Sequence, residues 1–304
     1  MPSCTSNLGS RPARRLHLET IRTGFTIIEV MVVISVVGVL IAVLLPSLSS
    51  MVDRANSSTE MAAARQLSQG YTSYATDNNG RLMPGYLSND PSNEDYEDAY
   101  DVQGPTGEPL DGPSKRRWTW RILPYLSDSV DALFVNQGRQ YIDELRGTDD
   151  FAYIASVYPS FGLNSEWLGG MKGSIYSDLH TLGQFTGECY YSQRLAEIQR
   201  PSEQLVFASS RGPEFEGNGN VEGYFYLLSP HYHTTGSRWE IDDDGEPSAD
   251  ADKNGFVSAR HDEKAVTAML DGSTRLERLR DLNDMRRWAN DAWKADWVIE
   301  PQMP

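Results

Sequence analysis

Residues 25–45 read FTIIEVMVVISVVGVLIAVLL and directly follow Gly24. Twenty-one residues at about 1.5 Å each make a helix of roughly 30 Å, the thickness of a bilayer's hydrocarbon core. The run predicts a membrane span. Its one charge is Glu29, and a carboxylate in an apolar span costs on the order of a few kcal/mol, so by default it marks a function. Arg11, Arg14, Arg15 and Arg22 precede the run with only Glu19 opposing them. The positive-inside bias therefore places residues 1–24 in the cytoplasm and the remainder outside. A secretory signal peptide would be cut beyond its apolar stretch at a small-residue site, and Leu44-Leu45-Pro46-Ser47-Leu48 offers a poor one.

Glu29 becomes explicable if the chain begins at Phe25. The new α-amine then lies four residues ahead of the carboxylate on one helical face, and the helix dipole favours a negative charge there. Between neighbouring copies the same two charges can pair and set axial register. Gly24-Phe25-Thr26-Ile27-Ile28-Glu29-Val30 resembles the class III leader site of type IV prepilins and type II secretion pseudopilins. The resemblance implies cleavage after Gly24 by a prepilin peptidase, methylation of the Phe25 amine, and Glu29 as the acidic residue used in assembly. Pro46 falls where that family commonly has a helix-perturbing proline.

Outward from the span, the chain is long enough for a sizeable core: 304 residues with a net charge of −16. Without the first 24 residues, 23 basic and 42 acidic side chains remain, a net −19. Phosphate binding needs a basic patch, so nucleic acid is not an expected partner. Of the two cysteines, Cys4 lies in the leader and Cys189 beyond it, so the processed chain could form no internal disulfide.

Past Pro46 the residues Met61, Ala64, Leu67, Tyr71 and Tyr74 keep a helical spacing, predicting one helix from Phe25 to about Asn78 with Gly80 in a left-handed terminal position. The expected organisation is a leader (1–24), a spanning half-helix (25–45), an amphipathic half-helix (46–79) and an α+β head (80–304). In the head, the helix should pack on an antiparallel sheet. Residues 90–112 read as a solvated loop, Trp118–Leu126 and Tyr141–Leu145 as ordered pieces, and Gln204–Ala208 and Gly223–Leu228 as strands. Ala265–Leu270 and Ser273–Glu277 flank Asp271-Gly272, predicting a two-residue hairpin turn with both positions at positive φ. His261 stands nine residues before this pair. With the following residues 280–288, His261, Asp271 and Gly272 resemble the C-terminal H-X9-DG region of large prepilin-like proteins of planctomycetes. That family assigns the His and Asp no chemistry, so a structural role in the turn is the expectation for Asp271.

Two constellations invite a metal. His231 and His233 on a strand would point the same way and, with His261, suit a transition metal. Asp250, Asp252 and Asn254, ahead of Gly255, match the opening of an EF-hand-like loop, while the twelfth position is His261 rather than Glu. A Ca²⁺ site there would need Asp242, Asp243, Asp244, Asp262 or main-chain carbonyls; the resemblance to major pseudopilins also implies calcium near the C-terminal strands. No nucleophile elbow, P-loop or dinucleotide fingerprint is present, so the sequence calls for assembly rather than turnover. Expected partners are copies of this chain, other pilin-like subunits, the prepilin peptidase, an inner-membrane assembly platform and the bilayer. The competing expectation is a membrane-tethered extracytoplasmic hydrolase or ligand-binding protein.

Overall fold

A computed structural model of the chain describes residue 24 and residues 26–127, 129–172, 190–215, 217, 219–232, 236–241, 248 and 250–299. Cys4, Cys189, Phe25, His233 and Asp242–Asp244 lie outside the described residues. The chain divides into two compact units, Met1–Met51 and Val52–Pro304. Helix α1 (Ile27–Asp77) contributes to both.

In the first unit α1 is crowded with β-branched residues, which are indifferent helix formers in water. In lipid, where each main-chain group must be satisfied within its own segment, a helix is nonetheless the available state. Ser35 follows the same logic: its hydroxyl donates back to the Met31 carbonyl at 2.7 Å. The helix is uninterrupted at Pro46.

In the second unit α1 buries Glu60, Ala63, Ala64, Leu67, Ser68, Tyr71, Tyr74 and Ala75, a stripe at three- and four-residue spacing. The stripe begins at Glu60 rather than Met61, which is only half-buried. Small residues let the helix lie close to the sheet, and the Ser68 hydroxyl donates to the Met269 carbonyl at 2.6 Å. Gly80, at φ 80°, ends the helix by donating its N–H to the Ala75 carbonyl at 2.7 Å.

Beyond α1 come α2 (Gly112–Arg116), α3 (Trp118–Arg121), α4 (Asn136–Leu145), α5 (Phe151–Val157) and, near the C-terminus, α6 (Leu279–Leu282). The strands are β1 (Phe161–Leu163), β2 (Leu205–Ser209), β3 (Arg211–Pro213), β4 (Asn220–Glu222), β5 (Lys264–Met269) and β6 (Thr274–Arg278). An antiparallel four-stranded sheet runs β1-β2-β5-β6, with β3 and β4 paired separately. The fold is therefore α+β, a long N-terminal helix followed by and packed on an antiparallel sheet with inserted loops.

Both faces of this sheet are covered, which explains why β5 is apolar on both sides. Val266 and Ala268 face the helix with Val206 and Phe207, while Ala265 and Met269 join Leu205 and Ala208 against Trp288, Leu282 and Met285. A register shift between Leu205 and Phe207 allows β2 to aim two successive side chains at the helix. Gly223–Leu228 forms no regular strand, because β1 is only three residues long and offers that segment the two main-chain groups of Leu163 alone. Residues 90–112 are also more than a solvated loop. Asp95, Val102 and Leu110 are buried, and a 3₁₀ turn (Glu97–Ala99) orders the segment.

Candidate functional site

The start of α1 is a reciprocal cap. Glu29 Oε2 accepts from the Thr26 N–H and from the Thr26 hydroxyl, each at 2.8 Å, while the Glu29 N–H donates to Thr26 Oγ1 at 3.3 Å. Thr-x-x-Glu is the signature of such a box, and it stands openly in the sequence as Thr26-Ile27-Ile28-Glu29. The pairing expected between Glu29 and the Phe25 amine involves a residue outside the described set. Gly24 is exposed.

From Ile27 to Leu45 every described side chain of the apolar run is exposed, on all faces of the helix. The segment is long and apolar enough to cross a membrane. An all-round apolar helix has to be covered by lipid or by partner helices. Followed by a β-sheet domain, it is the arrangement of a membrane-anchored protein.

The second glutamate of α1 has the opposite surroundings. Glu60 is fully buried, and Arg260 grips it with two hydrogen bonds, Nε to Oε2 at 3.0 Å and Nη2 to Oε1 at 2.8 Å. His261 Nε2 donates to Oε2 at 2.8 Å, the Ser209 hydroxyl donates to Oε1, and Asn136 Nδ2 donates to Oε2 at 3.2 Å. The remaining N–H groups of Arg260 reach the Ser210 and Ser160 carbonyls and Glu222, so all five of its donors are used. Burial pushes the Glu60 carboxyl up, but the Arg260 charge and the hydrogen bonds from His261, Arg260 and Ser209 outweigh it and hold the pKa at about 2. The group stays an anion, and His261 Nε2 must therefore be the donor.

This geometry gives the nine-residue spacing a physical meaning. His261 closes a tight turn, exchanging main-chain hydrogen bonds with Lys264 around Asp262 and Glu263, both at positive φ. Strand β5 then runs to Met269, and Asp271-Gly272 turns the chain back. One end of the strand is pinned to α1 through His261 and Glu60, and the other through the Met269 carbonyl and Ser68. The motif is the length of one strand between two anchoring turns.

The second turn differs from the expected one. Gly272 N–H donates to the Met269 carbonyl and Met269 N–H to the Ser273 carbonyl, so the loop is three residues, Leu270 to Gly272. Only Gly272 has positive φ, at 83°, and Asp271 instead accepts from the Ser273 N–H at 2.9 Å. The extra residue is Leu270, which is buried in the core and donates its N–H to the Gln204 carbonyl at 3.0 Å.

Of the metal expectations, Asn254 is buried but spends its amide on Ser248, accepting from the N–H at 3.2 Å and donating to the carbonyl at 2.9 Å. Asp252 accepts from the Lys253 N–H, and Lys253 pairs with Glu240 at 2.7 Å and with Asp250 at 3.9 Å. Asp262 sits in the turn after His261. His231 Nδ1 contacts the Gly236 carbonyl at 2.9 Å, while His261 is engaged by Glu60. Among the described residues, no three His, Cys, Asp or Glu side chains stand together as a metal set.

Sequence reading missed Glu60 and Arg260. The available signals were a glutamate in phase with an apolar helical stripe, and an arginine directly before the His of the motif. In comparisons the chain matches no protein family, no curated protein and no solved structure.

Proposed function

We propose that this chain is a prepilin-like subunit of a type II secretion pseudopilus or a type IV pilus-like filament. In this reading a prepilin peptidase removes residues 1–24 on the cytoplasmic side and methylates the Phe25 amine. The head lies outside the cytoplasmic membrane until an assembly platform draws the subunit into the filament, beside copies of itself and other pilin-like subunits. The role is assembly rather than turnover. The observation that carries the reading is the apolar segment of α1, exposed on all faces, with Glu29 as its one charged side chain at the N-terminal turn.

Three further features support it. The Gly24-Phe25 junction resembles the prepilin leader site, basic residues precede the span, and α1 continues without a break into the buried spine of the head. A carboxylate left in an apolar bundle is costly unless it meets a donor or a cation, and a neighbour's Phe25 amine is the cation this arrangement supplies.

The test is Glu29→Gln, which keeps the shape and removes the charge. Membrane insertion and leader removal continue, while filaments or crosslinked ladders fall to background. Polymerisation at the wild-type level, counted by electron microscopy, overturns Glu29 as the register contact. An intact mass from the native cell that starts elsewhere than at a methylated Phe25 overturns the processing.

A further inference from the structure

Strand β6 forms one edge of the four-stranded sheet, beyond β5. In this hairpin Val266 stands opposite Leu276 and Ala268 opposite Thr274. Met269 donates its N–H toward β6, to the Ser273 carbonyl at 2.8 Å, whereas Val266 turns its N–H the other way, to Ser209 Oγ at 2.9 Å. Antiparallel pairs alternate, so Arg275 and Glu277 spend their main-chain groups on β5, while Thr274 and Leu276 aim theirs out of the sheet. Among the described residues no main-chain hydrogen bond from outside the hairpin reaches either of them. Arg278 closes the stretch, its N–H donating to Asp281 Oδ2 at 3.4 Å. Leu276, in the middle, is 38% exposed.

The cationic side chains along this edge have no counter-charge. Lys264, Arg275 and Arg278 are half-buried and Arg280 is exposed, and none of the four forms an ion pair among the described residues. Neighbouring carboxylates are already engaged: Glu277 by Arg287 at 2.9 Å and by Thr267 at 2.8 Å, Asp271 by the Ser273 N–H at 2.9 Å. Lys264 and Arg278 face each other across the hairpin in the closer kind of antiparallel pair, and like charges set directly opposite destabilise a sheet. Charge on an edge guards it against chance pairing, but charge of one sign leaves it open to a strand of the other. The edge is also held in place, because β5 is pinned to α1 at both ends, and a partner need not order it first.

We propose that β6 accepts an extended acidic segment of a partner protein as a fifth, antiparallel strand. Main-chain bonds form at Thr274 and Leu276, and an apolar residue covers the Leu276 side chain. Carboxylates meet Arg278 and Lys264 on the helix side of the sheet and Arg275 on the other. The segment therefore reads acidic-x-apolar-acidic from its N-terminus. The remaining surface of a chain with net charge −16 repels such a segment, which confines it to this edge.

The test is fluorescence anisotropy on the full-length protein in phosphatidylcholine nanodiscs. The probes are the labelled peptide Thr-Glu-Thr-Val-Glu-Thr, its counterpart with lysine for both glutamates, and its counterpart with proline for valine. The first should bind saturably below about 5 mM and each counterpart about ten-fold or more weakly, one lacking the charge and the other the central N–H. Arg275→Glu combined with Arg278→Glu should reverse the preference in favour of the lysine peptide. Leu276→Pro removes an N–H that β5 does not use, so the protein should keep its melting temperature to within about 5 °C and lose the acidic peptide. Equal binding of the acidic and lysine peptides, binding that survives Leu276→Pro, or no saturable binding by about 5 mM overturns the proposal. Self-association of the protein that Leu276→Pro abolishes, without peptide binding, assigns the edge to a second copy and overturns it too.

Discussion

Helix α1 carries two glutamates whose surroundings could hardly differ more. Glu29 is exposed and its bonds stay within one turn of its own helix, to Thr26. Glu60 is buried and draws in four residues from three distant parts of the chain, Asn136, Ser209 and the adjacent pair Arg260 and His261. The same side chain in the same helix thus does two jobs. One closes a local cap and leaves an apolar surface to be covered from outside. The other has been desolvated completely, which is tolerable only because a guanidinium and an imidazole were brought to it by the fold. A glutamate's role follows from what the tertiary structure supplies, and substitutions at the two positions should separate cleanly.

The largest effect is expected from breaking the buried pair. Arg260→Met or Glu60→Gln leaves a partner unpaired in the interior, and unfolding of the full-length protein in micelles should show a loss of about 3–5 kcal/mol. For a head of this size that is on the order of 10 °C in melting temperature. A loss below about 1 kcal/mol would mean that the cluster does not hold α1 to the sheet.

Acid should reproduce most of that loss without mutation. The Glu60 pKa is depressed from 4.5 to about 2, so its contribution is complete above about pH 5 and declines as pH falls toward 2. The amount is about 3 kcal/mol, and the difference between wild type and Glu60→Gln should shrink over that window. A constant difference from pH 6 to 2 would contradict the ion pair.

His261→Phe keeps a ring in place and removes the donor to Glu60. About 2 kcal/mol should be lost, the scale of a hydrogen bond to a charged group, and the loss should vanish when Glu60→Gln is already present. Additive losses would mean His261 acts through packing alone.

Gly272→Ala should cost about 1 kcal/mol, because Gly272 sits at φ 83° and a new Cβ meets no atom closer than Gln69 Cγ at 3.9 Å. The penalty is therefore one of backbone conformation, and Gly272→Asn, which tolerates that region, should recover part of it. Glu29→Gln completes the comparison: head unfolding should change by no more than about 0.5 kcal/mol. A larger shift would mean that the cap at Thr26 is coupled to the head.

The amino-acid order alone determined the long helix, its apolar half, the isolated carboxylate at its start and the stop at Gly80, because each is set by local periodicity or by a residue's own backbone preference. The α+β class and the β5–β6 hairpin were legible for the same reason. Contacts between distant residues were not. Nothing local to Glu60 announces that Arg260 and His261, two hundred positions on, will surround it. The His of the nine-residue motif likewise has no meaning until β5 is laid along α1. The three-residue turn around Asp271 takes in Leu270, which is buried and bonded to Gln204 some sixty-six positions earlier, a contact the Asp-Gly pair cannot express. Asn254, chosen from the sequence as a cation ligand, is buried and exchanges hydrogen bonds with the Ser248 main chain, a contact no local pattern announces. Segment 90–112 reads as solvated because it is polar residue by residue, yet Val102 and Leu110 are buried in the core and Tyr100 packs against it. Local chemistry chooses the elements; only packing decides which buried charge meets a carboxylate, as Arg260 does, and which, like Arg121, is held by main-chain carbonyls.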